Sequence, residues 1–94
     1  MDIQQLRMIL ALAERRNFTE AAYDCAISQS SLSKQLVKVE SELGGVRLFD
    51  RSTRPISPTK EGEVFLAVAR QMVKIYDTML RSLEEVRNEG RSRL

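Results

Sequence analysis

Leu6, Ile9, Leu10 and Ala13 recur at helical spacing and share one face of a first helix. Asp2 with Gln5 three residues on is a capping-box pattern, and the helix is predicted to end near residues 15–17, where cationic side chains favour a C-terminus. A short second helix is predicted over residues 20–25, capped by Thr19, with Phe18 stapling onto Tyr23 and with Ala21 and Ala22 leaving room for a crossing helix. Ser28 repeats the device: Ile27 before the cap and Leu32 after it form another staple. The stripe Leu32, Leu36, Val39, Leu43 predicts a third helix over 29–43, stopped by Gly44 and Gly45.

The period then changes. Residues 46–49 and those around Ile56 are short and apolar or alternating, and "DRSTRP" between them is rich in turn formers, so two small strands joined by a basic loop are predicted. Thr59 is the expected cap of a last helix reaching about residue 88. Phe65, Val68, Met72, Ile75, Met79 and Val86 follow a three-four repeat interrupted by Ser82, and Leu66, Ala69, Val73, Tyr76, Leu80 and Leu83 run beside it. Two adjoining apolar stripes are more than one small domain can cover. The fold class is therefore mainly α, with three helices, a short two-stranded hairpin and a long helix available for self-association.

Ninety-four residues, 43% of them apolar, suffice for one small domain with a thin core. The net charge of +2 says little, but residues 44–60 hold four basic side chains against one acidic, a local patch that would attract a polyanion at one place. One cysteine cannot form an intramolecular disulfide, and no signal-peptide pattern or long apolar run is present. A cytoplasmic location is expected. The chain contains no histidine, and neither a phosphate loop nor a metal-ligand motif is found, so catalysis is not expected and no cofactor is implied.

The stripe of the third helix turns Ser30, Lys34, Val37 and Ser41 to the opposite side, flanked by Ser33 and Lys38. That side begins at the helix N-terminus with Gln29, Ser30 and Ser31, where backbone amides attract anions. A solvated surface would be the ordinary reading. A short helix before this face, a basic hairpin after it, and Gln and Lys suited to base edges favour a helix-turn-helix facing DNA instead.

The run "FTEAAYDCAISQSSLSKQLVKVESELGGVRLFDR", followed by "TKEG" and a long helix, resembles the N-terminal winged helix-turn-helix and linker helix of LysR-type transcriptional regulators. The resemblance spans nearly the whole chain. It implies a DNA-binding domain over 1–58, a linker and dimerisation helix over 59–88, and a tail over 89–94 leading to an effector domain outside this chain. It also implies that residues 29–43 enter the major groove, with Gln29, Ser30, Ser31, Ser33, Lys34 and Lys38 facing bases or phosphates. Arg51 and Arg54 of the wing would reach phosphate or the minor groove. Asn17 and Thr19 would serve the second helix first and a phosphate second. Phe65, Val68, Met72, Ile75, Met79, Leu83 and Val86 would form the seam of a homodimer, or of a tetramer in a longer protein, bound to an interrupted inverted repeat. A small-molecule effector would belong to the further domain.

This sequence also departs from the family pattern. Ser30 and Ser31 stand where Pro and Ala are usual, Cys25 where Leu is common, and Lys34 where Arg is frequent; lysine lacks the planar fork that arginine offers to guanine. "LGGVRLF" holds one residue more than the usual spacing. A dimeric helical adaptor binding protein, or a winged-helix regulator of another family such as the molybdate type, are the alternatives. Cys25 is expected to be buried as a small hydrophobe and the methionines to serve packing on helical stripes rather than a binding surface, with Arg7, Arg15 and Arg16 as solvated charge.

Overall fold

The computed structural model describes residues 1–92 and orders them as α1 (Ile3–Arg15), α2 (Phe18–Asp24), α3 (Gln29–Glu42), β1 (Phe49–Asp50), β2 (Ser57–Pro58) and α4 (Lys60–Ser92). The capping box forms as the sequence predicts: the Gln5 amide donates to the Asp2 carboxylate at 2.8 Å and the Asp2 amide donates to the Gln5 side-chain oxygen at 3.0 Å. α1 ends at Arg16, a residue in the left-handed region with φ 55° whose N–H reaches the Leu12 carbonyl.

The second helix starts earlier than expected. Asn17, not Thr19, is its cap, accepting the Glu20 amide at 2.9 Å, so Phe18 becomes the first helical residue and Cys25 falls at the C-cap. The expected staple does not form, because Tyr23 is 84% exposed while Phe18 leans on the core. Ala21 and Ala22 are fully enclosed, which lets α1 and α3 approach closely.

Ser28 caps α3, accepting the Ser31 amide at 3.1 Å. Leu32, Leu36 and Val39 are buried, whereas Leu43 is the C-cap and lies exposed, so the stripe is one residue shorter than predicted. Gly44 and Gly45 sit at φ +85° and +84°, conformations that suit glycine, and their amides close the helix end on the Ser41 and Glu40 carbonyls.

The core gathers Ile9, Leu12, Ala21, Ala22, Leu32, Leu36, Val39, Leu48, Phe49, Ile56 and Leu66. Leu12, absent from the predicted stripe, is completely buried, while Leu10 and Ala13 are only partly so. The strands are shorter than predicted and pair antiparallel in the register Phe49 with Pro58 and Asp50 with Ser57. Thr59 caps α4 as predicted, accepting the Gly62 amide at 3.0 Å, and the helix continues to Ser92 rather than stopping near residue 88. Leu66 and Ala69 of α4 are buried, yet Val68, Met72, Ile75, Met79, Leu80, Leu83 and Val86 lie exposed along it. Among the described residues, no helix is long and apolar enough to cross a membrane.

Candidate nucleic-acid interface

Burial of Leu32, Leu36 and Val39 fixes the roll of α3, and that roll turns Ser30, Lys34, Val37, Lys38 and Ser41 to solvent. Ser33 is half-buried beside them. Among the described residues, neither Lys34 nor Lys38 makes a hydrogen bond or ion pair, so both ammonium groups are available to an anion. Ser33, Lys34, Gln35, Val37, Lys38 and Ser41 line a shallow groove along the helix.

The serines at the start of α3 are oriented by the cap. Ser28 Oγ donates to Ser31 Oγ at 2.9 Å and lies 3.2 Å from Ser30 Oγ. With the Ser28 proton committed to Ser31, Ser30 donates to Ser28 and offers lone pairs outward, while Ser31 keeps a proton to donate. The two hydroxyls thus differ in what they present.

α2, α3 and the hairpin loop meet in a second groove, lined by Asn17, Thr19, Gln29 and Arg54 together with Arg15, Arg16 and Glu20. The Thr19 hydroxyl donates to the Gln29 side-chain oxygen at 2.9 Å. Arg54 stands at the loop tip, exposed and, among the described residues, without an ionic or hydrogen-bonding partner. The structure therefore brings Asn17, Thr19, Gln29 and Arg54 to one place, next to the face that carries Lys34 and Lys38.

Arg51 is placed differently. Its guanidinium lies 5.1 Å from the centroid of the Phe18 ring, and its Nη2 is 4.0 Å from the Glu40 carboxylate. Glu40 is buried, and its other oxygen accepts the Leu48 amide at 2.8 Å. Arg51 thus lies against the body, while Arg54 projects from it. Asp50 braces the loop by accepting both the Ser52 amide at 2.9 Å and the Ser52 hydroxyl at 2.6 Å, bonds that hold its carboxyl below the ordinary range.

Of the three N-terminal arginines expected to be solvated, Arg15 and Arg16 are exposed and Arg7 is half-buried, and all three are also engaged. Arg15 bridges to Asp24 at 2.6 Å, Arg16 Nε donates to the Ile56 carbonyl at 2.8 Å, and Arg7 reaches Asp77 of α4 at 2.6 Å. The hydrogen bond to Arg15 holds the Asp24 carboxyl below its ordinary range. Cys25 is half-buried, and burial pushes its thiol up, which suits packing better than thiolate chemistry. Among the described residues, no cluster of metal-ligating side chains occurs.

Sequence reasoning did not single out Glu40, Gln35 or Gly62. Gln35 accepts from buried Gln5 at 2.8 Å across α1 and α3. Gly62 lies so close to the Leu48 carbonyl that a Cβ there would overlap it. The one local signal for Glu40 was a carboxylate directly after the buried Val39.

The sequence matches the model of the family described as "Bacterial regulatory helix-turn-helix protein, lysR family" over residues 3–63. It is 42% identical over 80 residues to the HTH-type transcriptional regulator BudR of Raoultella terrigena, covering 85% of this chain and 27% of that protein. It is 36% identical over 80 residues to the regulator BenM of Acinetobacter baylyi, covering 85% of this chain and 26% of BenM. The chain thus spans little more than a quarter of the length of these curated relatives. Among solved structures, the BenM_DBD complex with catB site 1 DNA superposes with a TM-score of 0.90 at 32% identity, covering 96% of each chain. The corresponding complex with benA site 1 DNA gives 0.87 at 34% identity, covering 92% of this chain and 96% of the other.

Proposed function

The chain belongs to the lysR family of bacterial helix-turn-helix regulators, and we propose that it is the part of a cytoplasmic transcription regulator that binds double-stranded DNA sequence-specifically. The observation that carries the reading is the outward face of α3, which sets two lysines, unpaired among the described residues, among small hydroxyls beside a groove holding Gln29 and Arg54. Such a face fits a major groove, where hydrogen-bonding side chains meet base edges and cations meet phosphates. Similarity to two DNA-bound BenM_DBD structures over more than nine-tenths of this chain supports it.

In this reading Gln29, Ser30, Ser33 and Lys34 read bases. Ser31, Lys38, Asn17 and Arg54 hold phosphate, or in the case of Arg54 a narrow minor groove, while Thr19 orients Gln29 through its hydroxyl. Arg51 serves the wing chiefly by bracing it against Phe18 and Glu40, with any phosphate contact secondary. Two copies join through Val68, Met72, Ile75, Met79, Leu83 and Val86, whereas Phe65, expected in the seam, is partly buried against the body's own core. Their recognition helices then address an interrupted inverted repeat.

The test is selection of bound duplexes from a random library, followed by binding in excess competitor DNA. Enrichment of an inverted repeat bound at least about 10³-fold more tightly than scrambled duplex is expected. Binding to all duplexes alike would sink the reading and return the chain to a protein-binding adaptor.

A further inference from the structure

α4 is tied to the body at two places of different chemistry. At its start the tie is made largely by backbone: the Thr59 amide donates to the Leu48 carbonyl at 3.0 Å, the Thr59 hydroxyl donates to the Arg47 carbonyl, and Gly62 lies hard against Leu48. Further along, the tie is made by side chains. Arg7 of α1 grips Asp77 through both nitrogens, at 2.6 and 3.5 Å, with its guanidinium 6.0 Å from the centroid of the Tyr76 ring.

Between these ties the apolar contact is thin. Leu66 and Ala69 are buried, Val73 and Tyr76 only half-buried, and residues 78–91 are exposed throughout. Among the described residues, the Arg7–Asp77 pair is therefore the outermost polar tie of the body to the long helix. The hydrogen bond from Arg7 also holds the Asp77 carboxyl below its ordinary range, so the pair stays charged through neutral pH.

We propose that the Arg7–Asp77 pair sets the angle between the DNA-reading body and α4, and so selects the half-site separation that a dimer accepts. This inference rests on the proposed dimeric DNA-binding reading. The lever is long enough to matter. From Gly62 to Asp77 the helix runs about 22 Å, so a swing of about 10° at the Gly62 end shifts the Asp77 end by about 4 Å, against about 3.4 Å of DNA per base pair. Slack of about 10° would therefore span the difference between neighbouring spacings. Arg7 and Asp77 act here as positioning residues and touch no base.

The test measures binding of the chain to duplexes carrying two inverted copies of its selected half-site, with the spacer varied one base pair at a time, and to a single half-site. The unaltered chain is expected to favour one spacer by about tenfold over its neighbours, and Asp77→Ala to shrink that preference to about threefold or less. Affinity for the single half-site should stay within about twofold, and the exchanged pair Arg7→Asp with Asp77→Arg should restore the preference. An unchanged spacer profile in Asp77→Ala would overturn the proposal. So would equal weakening at every spacer and at the single half-site. Sedimentation of the same samples separates the two levels: a monomeric unaltered chain would overturn the dimer reading itself, whereas a dimer with a flat spacer profile would overturn only the spacing role.

Discussion

The Thr19 hydroxyl donates to the Gln29 side-chain oxygen at 2.9 Å, joining the second residue of α2 to the first of α3. With its oxygen engaged, Gln29 offers its NH2 group to whatever approaches the groove. An amide free to rotate would accept or donate equally well; one held in this way prefers an acceptor, such as a purine N7.

Thr19→Val keeps the shape and removes the donor. Operator affinity is expected to fall by about 0.5–1.5 kcal/mol, with little change for scrambled duplex. Fluorescence anisotropy on both duplexes checks this. Equal weakening of the two would mean that Thr19 holds a phosphate rather than orienting Gln29.

Gly62 offers a test of the joint between wing and long helix. A methyl group there would overlap the Leu48 carbonyl, which already accepts the Thr59 amide, so relief requires α4 to move off the wing. Gly62→Ala should cost about 1–3 kcal/mol of unfolding free energy despite the better helix propensity of alanine. Gly90, also in α4, has open space around it, and Gly90→Ala should be neutral or slightly stabilising. Urea unfolding of the two variants compares them directly; equal stabilities would remove the proposed joint.

Acid should loosen the contact of α1 with α2. The Asp24 carboxyl is lowered from 3.8 by its hydrogen bond from Arg15, so its contribution is complete above that value and is lost as pH falls through the lower folded value. Asp24→Asn should therefore melt with a smaller difference between pH 7 and strongly acidic solution than the unaltered chain does. Thermal melts at both pH values measure it, and parallel pH profiles would count against the pair.

Ile75 and Met79 are exposed on α4, 69% and 47% respectively. Placing glutamate at both puts charge in the proposed seam. The altered chain should sediment as a monomer at micromolar concentration while keeping its helix content. A stable dimer would move the interface elsewhere.

What the sequence disclosed about this molecule was what lies close along the chain. The Asp2–Gln5 box, the Ser28 cap and the outward face of α3 each depend on residues within one or two helical turns, and each forms. The start of α2 was ambiguous for a local reason: Asn17 and Thr19 both suit a cap, and only the burial of Phe18 beneath the wing decides for Asn17. Arg7 and Arg16 looked like surface charge because their partners, Asp77 and the Ile56 carbonyl, lie 70 and 40 residues away. Gly62 was unreadable for the same reason, since nothing nearby in the chain explains it until folding brings Leu48 against it.

Lys34 decides whether α3 reads bases or only holds the backbone. It stands in the middle of the outward face, exposed and, among the described residues, unpaired, whereas Arg54 stands at the loop tip. The measurement is the ratio of operator to scrambled affinity, with a salt titration, for the unaltered chain, Lys34→Ala and Arg54→Ala. Lys34→Ala should lower that ratio by about 1–3 kcal/mol per half-site, while Arg54→Ala should weaken both duplexes alike and reduce the salt slope by about one unit for each phosphate left without its cation. An unchanged ratio in Lys34→Ala would contradict base reading at the centre of α3.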